Sequence, residues 1–288
     1  MRISAAAFLL VFIFLQSINL AQAQTDTERS TPISTCMAIA QIPPYRNNPL
    51  PIVKVSTLAA LSPYEVNIAY VGHSTFRIED ATGLKIATDF SGFAGVDVIP
   101  DVVTMNHAHS THYTIVPDKR IPHVLRGWGK NGEPARHHLQ VGETIIRNVT
   151  TNIDNDWVGF ERDGNSIFIF EMGGLCIGHL GHLHHKLTEA HYAQIGRLDI
   201  VMVPVDGGYT LNVVEMAEVV KRLRASMVLP MHWFGSFSLQ RFLTAMGEQF
   251  PVDIRRSTQL TVSLNTLPSA PTVTVLQPES SGFGYGGD

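Results

Sequence analysis

Two short windows hold seven of the chain's 13 histidines: His107-Ala108-His109-Ser110-Thr111-His112 and His179-Leu180-Gly181-His182-Leu183-His184-His185. A further His232 follows an apolar run. Imidazole is the commonest borderline-soft metal ligand, and an H-x-H pair on extended backbone points both rings to one side, so the spacing suits chelation. The chemistry on offer is therefore metal binding. A three-histidine zinc with an open position lowers the pKa of its bound water to about 7 and polarises the bond attacked, which is hydrolysis. No serine or cysteine stands in a recognisable nucleophile setting.

Each cluster is delivered by a strand-like run. Val66 to Val71, Thr75 to Glu79 and Lys85 to Thr88 are short β-rich stretches separated by Gly72-His73 and Thr82-Gly83, a meander, and Val102 to Met105 leads directly into the first cluster. Glu143 to Val149, Trp157 to Arg162 and Ser166 to Met172 form a second meander, with Asp163-Gly164-Asn165 expected as its hairpin turn. Leu175 to Gly178 runs straight into the second cluster. Beyond it, Thr188 can cap a short helix to about Ile195, and Ile200 to Val205 reads as a buried strand ending at Asp206-Gly207-Gly208. Asn212 with Glu215 three residues on resembles a capping box, and Val213, Met216, Val220 and Leu223 follow at helical spacing. Met227 to Pro230 is a strand, and His232 stands just past it. The stretch from Tyr113 to Gln140 reads as one long loop in which Arg126-Gly127-Trp128-Gly129 could wall the site.

The 288 residues are 44% hydrophobic and 16% charged, enough for an ample core, and a net charge of -4 recruits neither nucleic acid nor an anionic membrane surface. A small-molecule substrate is the expected partner. Residues 1–23 read as an export signal, with Arg2, an apolar Ala5 to Leu15 and a small-x-small Ala21-Gln22-Ala23. Eleven apolar residues are too few to span a bilayer, which needs about 20, so an uncleaved anchor is the weaker reading. The mature chain is expected in a periplasm or outside a cell, with no stable membrane anchor. Residues 24–63 form a polar, proline-bearing lead-in, 64–276 the domain, and 277–288 a flexible Gly/Ser-rich tail. An oxidising compartment permits a Cys36–Cys176 disulfide, but the preferred reading of Cys176 is a small buried hydrophobe.

Five motifs in order carry a resemblance: Tyr70-Val71-Gly72-His73-Ser74-Thr75-Phe76-Arg77-Ile78-Glu79 with Ile86-Ala87-Thr88-Asp89, the H-x-H-x-x-H cluster, Gly178-His179-Leu180-Gly181, Pro204-Val205-x-Gly-Gly and Pro230-Met231-His232. Together they resemble the metallo-β-lactamase superfamily, in its UlaG-like hydrolase branch, over roughly residues 64–265. The resemblance implies an α/β fold, a four-layer αββα sandwich with the metal site at one sheet edge. By position it implies that His107, His109 and His179 hold one metal and that His112 and His232 serve a second. It also implies that Asp89 accepts a hydrogen bond from a ligating histidine, with His73 in the same supporting shell or in a substrate wall.

The chain departs from the family pattern at two carboxylates: Thr111 replaces the first aspartate and His182 the bridging one. Two divalent ions about 3.5 Å apart repel by about 19 kcal/mol at an effective dielectric of about 20. Carboxylates normally offset that, and a neutral imidazole offers one lone pair where a carboxylate can bridge two ions. One tightly held zinc per chain is therefore expected, with a second site of His112, His182 and His232 weak or empty. The proton acceptor would come from His112, His182 or Asp206. His184 and His185 read as pocket rim or helix lead-in, and His123, His137, His138 and His191 as ordinary or satisfied histidines. Two other function classes stand beside the hydrolase: a metal-binding protein that has lost catalysis, and a diiron redox enzyme, which the missing carboxylates disfavour.

Overall fold

The computed structural model describes residues 34–37, 61–130, 133–155 and 159–279. The expected export signal, most of the lead-in and residues 280–288 of the expected tail lie outside the described residues. In chain order the elements are β1 (Val66–Gly72), β2 (Thr75–Asp80), β3 (Lys85–Ala87), β4 (Val102–Met105), β5 (His123–Arg126), β6 (His138–Val141), β7 (Thr144–Asn155), β8 (Gly159–Met172) and β9 (Leu175–His179). They continue with α1 (Glu189–Ile195), β10 (Ile200–Pro204), α2 (Val213–Leu223), β11 (Met227–Met231), α3 (Ser236–Met246), β12 (Val252–Ile254), β13 (Gln259–Val262) and β14 (Thr272–Val275).

The strands form two sheets, of order β13-β1-β2-β3-β4-β5 and β12-β14-β11-β10-β9-β8-β7-β6. Side chains alternate across a strand, so consecutive residues report which layer each face meets. Phe168, Phe170, Met202 and Leu229 of the larger sheet share one core with Val66, Ile68, Phe76 and Ile78 of the smaller. Their neighbours Ile167, Ile169, Val201, Val203 and Val228 pack in a second core with Met216, Val220 and Phe242 of the helices. On the smaller sheet Ala87, Val103 and Met105 meet Phe90, Ala94 and Ile121, so among the described residues the loops 88–101 and 113–122 cover that outer face. The architecture is the two-sheet α/β sandwich expected.

The local signals explain most of the frame. Thr188 caps α1, with its side chain accepting from the His191 amide, while the Asn212 side chain accepts from the Glu215 amide at 3.1 Å at the start of α2. Such caps are each worth about 1 kcal/mol. Val213, Met216, Val220 and Leu223 are all buried. β9, β10 and β11 run parallel, and so do β3 and β4, which brings one set of carboxyl ends together.

Three expectations need correction. Asp163-Gly164-Asn165 is no hairpin turn: β7 and β8 stay paired from Ile145↔Glu171 to Asn155↔Gly159, with a shift of register between Thr151 and Ile153. Asp163, at φ 54°, belongs to the bulge that absorbs the shift. The long loop from Tyr113 to Gln140 contains β5 and the start of β6. Cys36 and Cys176 are joined in a disulfide, with Cα atoms 5.8 Å apart, rather than sitting as separate buried thiols. At the first residues of the expected tail, Arg77 Nη2 pairs with Glu279 Oε1 at 2.8 Å and the Glu279 amide donates to the Tyr70 carbonyl.

Candidate metal centre

Every histidine of the centre follows the carboxyl end of a strand: His73 after β1, His107, His109 and His112 after β4, His182 after β9 and His232 after β11. One ligand atom each of His73, His112 and His232 lies within 4.8 Å of the others. The Nε2 atoms of His73 and His112 are buried without a hydrogen-bond partner. An unpaired buried polar atom costs on the order of 1–3 kcal/mol, so two of them in rings with centroids 5.2 Å apart make a place that could hold a ligand.

Carboxylates hold the opposite ring edges. His112 Nδ1 donates to Asp89 Oδ2 at 2.5 Å, and His232 Nδ1 donates to Asp206 Oδ2 at 2.9 Å. A carboxylate at Nδ1 keeps the proton there and turns the Nε2 lone pair outward, the arrangement that raises ligand basicity. Asp89 is thus where the resemblance implied, beside a ring of the centre. Its other oxygen accepts the Asn106 amide at 3.0 Å, and burial raises its pKa against the pull of His179, Ser74 and that amide. Backbone strain concentrates at the same atoms. His73 (φ 52°), Asp89 (φ 48°) and His232 (φ 57°) all occupy the left-handed region, and the His232 amide donates to the His73 carbonyl at 2.7 Å. His73 thus belongs to a group of three histidines whose geometry could hold a metal ion.

The H-x-H pair lies alongside. The rings of His107 and His109 are parallel, 1° apart in plane with centroids at 6.3 Å. His107 Nδ1 donates to the Gly164 carbonyl at 2.7 Å, and His109 Nδ1 lies 3.1 Å from Thr111 Oγ1, so Thr111 props the ring that it neighbours. His182 sits among them, its centroid 4.6 Å from His112, 5.6 Å from His107 and 5.5 Å from His232. His182 Nδ1 is 2.8 Å from His184 Nε2. His184 is buried and bonded to the cluster, not on the rim. Burial first, and mutual repulsion second, hold His112 and His182 well below the usual histidine range and bring His73 down to about 4. These rings are neutral lone-pair donors at pH 7.

Two further residues of the expected site have their polar atoms engaged by the fold. His179 is fully buried, with Nε2 donating to the Ser74 carbonyl at 2.8 Å and Nδ1 accepting from Asn106 Nδ2 at 3.2 Å and the Gly181 amide at 3.1 Å. With both ring nitrogens satisfied it has no lone pair to give, so it pins the end of β9 to the β1–β2 turn instead of ligating. Asp206 is likewise engaged at both oxygens. It accepts from the amides of Gly208, Tyr209 and Thr210, from Thr210 Oγ1 and from His232. Burial would raise its pKa, but these bonds hold it below the usual carboxylate range. Gly181 completes the geometry: at φ 62° a Cβ there would meet Asn165 Oδ1 at 2.4 Å and Asn106 Nδ2 at 2.6 Å. Arg126-Gly127-Trp128 is tied to β4 by the Gly127 amide and the Met105 carbonyl, and Trp128 braces Tyr113 with centroids at 5.5 Å.

A two-sheet sandwich with histidines gathered at its strand ends defines a class of metal-dependent hydrolase fold, and the comparisons agree. The pattern of the beta-lactamase superfamily domain matches residues 67–232, more than half of the chain. A metal-dependent hydrolase of Methanospirillum hungatei is 25% identical over 186 residues, covering 58% of this chain and 83% of that protein. One from Methanoculleus marisnigri is 23% identical over 217 residues, covering 69% and 93%. A solved structure from Thermotoga maritima, described as a putative Zn-dependent hydrolase of the metallo-beta-lactamase superfamily, superposes with a TM-score of 0.54. It is 26% identical and covers 74% of this chain and 100% of its own. The chain belongs to the metallo-β-lactamase superfamily, among its metal-dependent hydrolases.

Proposed function

We propose that the chain is an exported, zinc-dependent hydrolase of a small ester, lactone, amide or phosphodiester, with one ion held by His73, His112 and His232. The observation that carries this reading is the pair of unpartnered buried Nε2 atoms on His73 and His112, beside a His232 whose far edge is fixed by Asp206. Three nitrogen donors with an open side suit zinc, and the two carboxylates sit behind the rings rather than between two ions, which favours a single metal. When bound, such an ion supplies Lewis acidity and acidifies a water to a pKa of about 7.

The chain's own residues supply the rest. Asp89 and Asp206 orient His112 and His232. His182, neutral and 4.6 Å from His112 by ring centroid, is the group placed to take a proton at Nε2, since its Nδ1 faces His184. His107 and His109 present a parallel pair of rings beside His182. Export is supported by the apolar run near the N-terminus and by the Cys36–Cys176 disulfide, a bond that persists in oxidising compartments.

Thr111 and His182, at the positions of two carboxylate ligands, favour a second reading, a metal-binding protein without catalysis. A panel of nitrophenyl esters, lactones and bis(nitrophenyl) phosphate separates the two. The hydrolase reading expects turnover of at least one class, abolished by a chelator and restored by zinc. Zinc-saturated protein that turns over none of them would leave the binding reading standing.

A further inference from the structure

β1 and β2 pair in register as far as Tyr70↔Phe76, and a shift between Tyr70 and Gly72 then delivers the turn that carries His73. Such irregularities re-aim the residues that follow them. The Tyr70 hydroxyl donates to the His73 carbonyl at 2.7 Å, and the His232 amide donates to the same carbonyl, also at 2.7 Å. A carbonyl oxygen offers two lone pairs, one for each donor. One acceptor therefore ties together the turns of two histidines whose ring centroids lie 4.2 Å apart. Both turns are strained, with His73 at φ 52° and His232 at φ 57°, a conformation that persists in residues with a Cβ only where surrounding contacts over-determine it.

The phenol is anchored from outside the centre. Tyr70 is buried, its amide donates to the Thr258 carbonyl at 2.8 Å, and its own carbonyl accepts the Glu279 amide at 2.9 Å. Its ring packs against Phe76 and Trp233, with centroids at 4.8 and 5.3 Å. None of these contacts uses the hydroxyl. A phenylalanine would make all of them, so packing calls for an aromatic ring at position 70 but not for its oxygen. What the oxygen adds is the bond to His73.

We propose that the Tyr70 hydroxyl is a positioning group of the metal centre: by donating to the His73 carbonyl it sets the angle at which the His73 ring meets an ion shared with His112 and His232. This rests on the reading that His73 is a ligand. Tyr70 acts through the His73 backbone and is not itself a ligand.

Zinc affinity, read by competition against a chromogenic chelator, and the visible absorption of the cobalt-substituted protein test this. Tyr70→Phe keeps the ring and removes the donor. It is expected to weaken zinc by about tenfold, the lower end of the effect of groups that stand behind a ligand, with stoichiometry at saturation unchanged. The cobalt bands, which respond to the angles between ligands, should change in position or intensity. With p-aminophenylalanine in place of Tyr70, whose amine donates from the same point on the ring, affinity and spectrum should return to those of wild type. Zinc affinity and cobalt spectrum unchanged in Tyr70→Phe, even beside a lowered melting temperature, would reduce the hydroxyl to a part of the packing and overturn the proposal. So would a folded amine variant that binds zinc about tenfold more weakly than wild type. His73→Ala separates the two possible failures. Loss of zinc in His73→Ala beside an unmoved Tyr70→Phe overturns the positioning role alone, whereas wild-type zinc affinity in His73→Ala overturns the ligand reading on which that role rests.

Discussion

Asp89 shows how much one side chain carries in this centre. It holds a left-handed backbone conformation, receives His112 Nδ1 on one oxygen and the Asn106 amide on the other, and is completely buried. Removing its charge while keeping its shape should leave the fold and weaken the ligand behind it. Asp89→Asn is expected to lower zinc affinity by about 10- to 100-fold, read by competition against a chromogenic chelator, with stoichiometry at saturation unchanged. An affinity within twofold of wild type would mean that His112 is oriented by something else. At this scale the sequence was readable where residue type alone decides, as with the H-x-H pair, whose rings point the same way. It was unreadable where a distant partner decides. His179 is spent on the Ser74 carbonyl, 105 positions away in the chain. His73 joins the centre because a left-handed turn aims its ring, and no spacing rule encodes that direction.

At the scale of elements, the body of the molecule is strapped to a short N-terminal piece. Glu171 on β8 accepts Ser34 Oγ at 2.5 Å, the Thr35 amide at 3.0 Å and Arg147 Nε at 3.1 Å. The same arginine caps the end of α1 through the Gln194 and Ile195 carbonyls at 2.7 and 2.6 Å. The Cys36–Cys176 disulfide, across 140 residues, fastens this network within the core shared by the larger sheet and the helices. Cross-linking so long a loop stabilises by roughly 3–5 kcal/mol. The double change Cys36→Ser with Cys176→Ser should therefore shift the urea unfolding midpoint down by that free energy while leaving zinc affinity unchanged. A loss of zinc affinity in the folded variant would tie the strap to the centre. Helices with side-chain caps, α1 and α2, were legible from Thr188 and from Asn212 with Glu215. α3 was not: it starts at Gly235 with no side-chain cap and no acid in its first turn, and it is held by the burial of Phe242 and Met246. Strands β12 to β14 were equally silent, because β13 pairs with the remote β1, β14 with β11 across an intervening helix and strands, and β12 only with β14. Asp163-Gly164 has turn composition but falls where two long strands need a bulge, and the pairing on either side prevails.

For the whole molecule, the two sheets meet in one core, and their carboxyl ends converge on a patch of seven imidazoles: His73, His107, His109, His112, His182, His184 and His232. Strand order alone brings these residues together from positions as far apart as 73 and 232. The motif order in the sequence, and with it the sandwich, was therefore legible. The division of labour within the patch was not, because it depends on which ring nitrogens the protein leaves unpaired. We propose that the metal lies on His73, His112 and His232, with His179 a structural pin. Zinc content of purified protein, measured by plasma mass spectrometry on wild type, His73→Ala and His179→Gln, tests it most directly. The expected result is about one zinc per chain in wild type and in folded His179→Gln, whose amide keeps the donor to Ser74, and little or none in His73→Ala. Full zinc in His73→Ala together with loss of zinc in folded His179→Gln would contradict the account and return the metal to His107, His109 and His179.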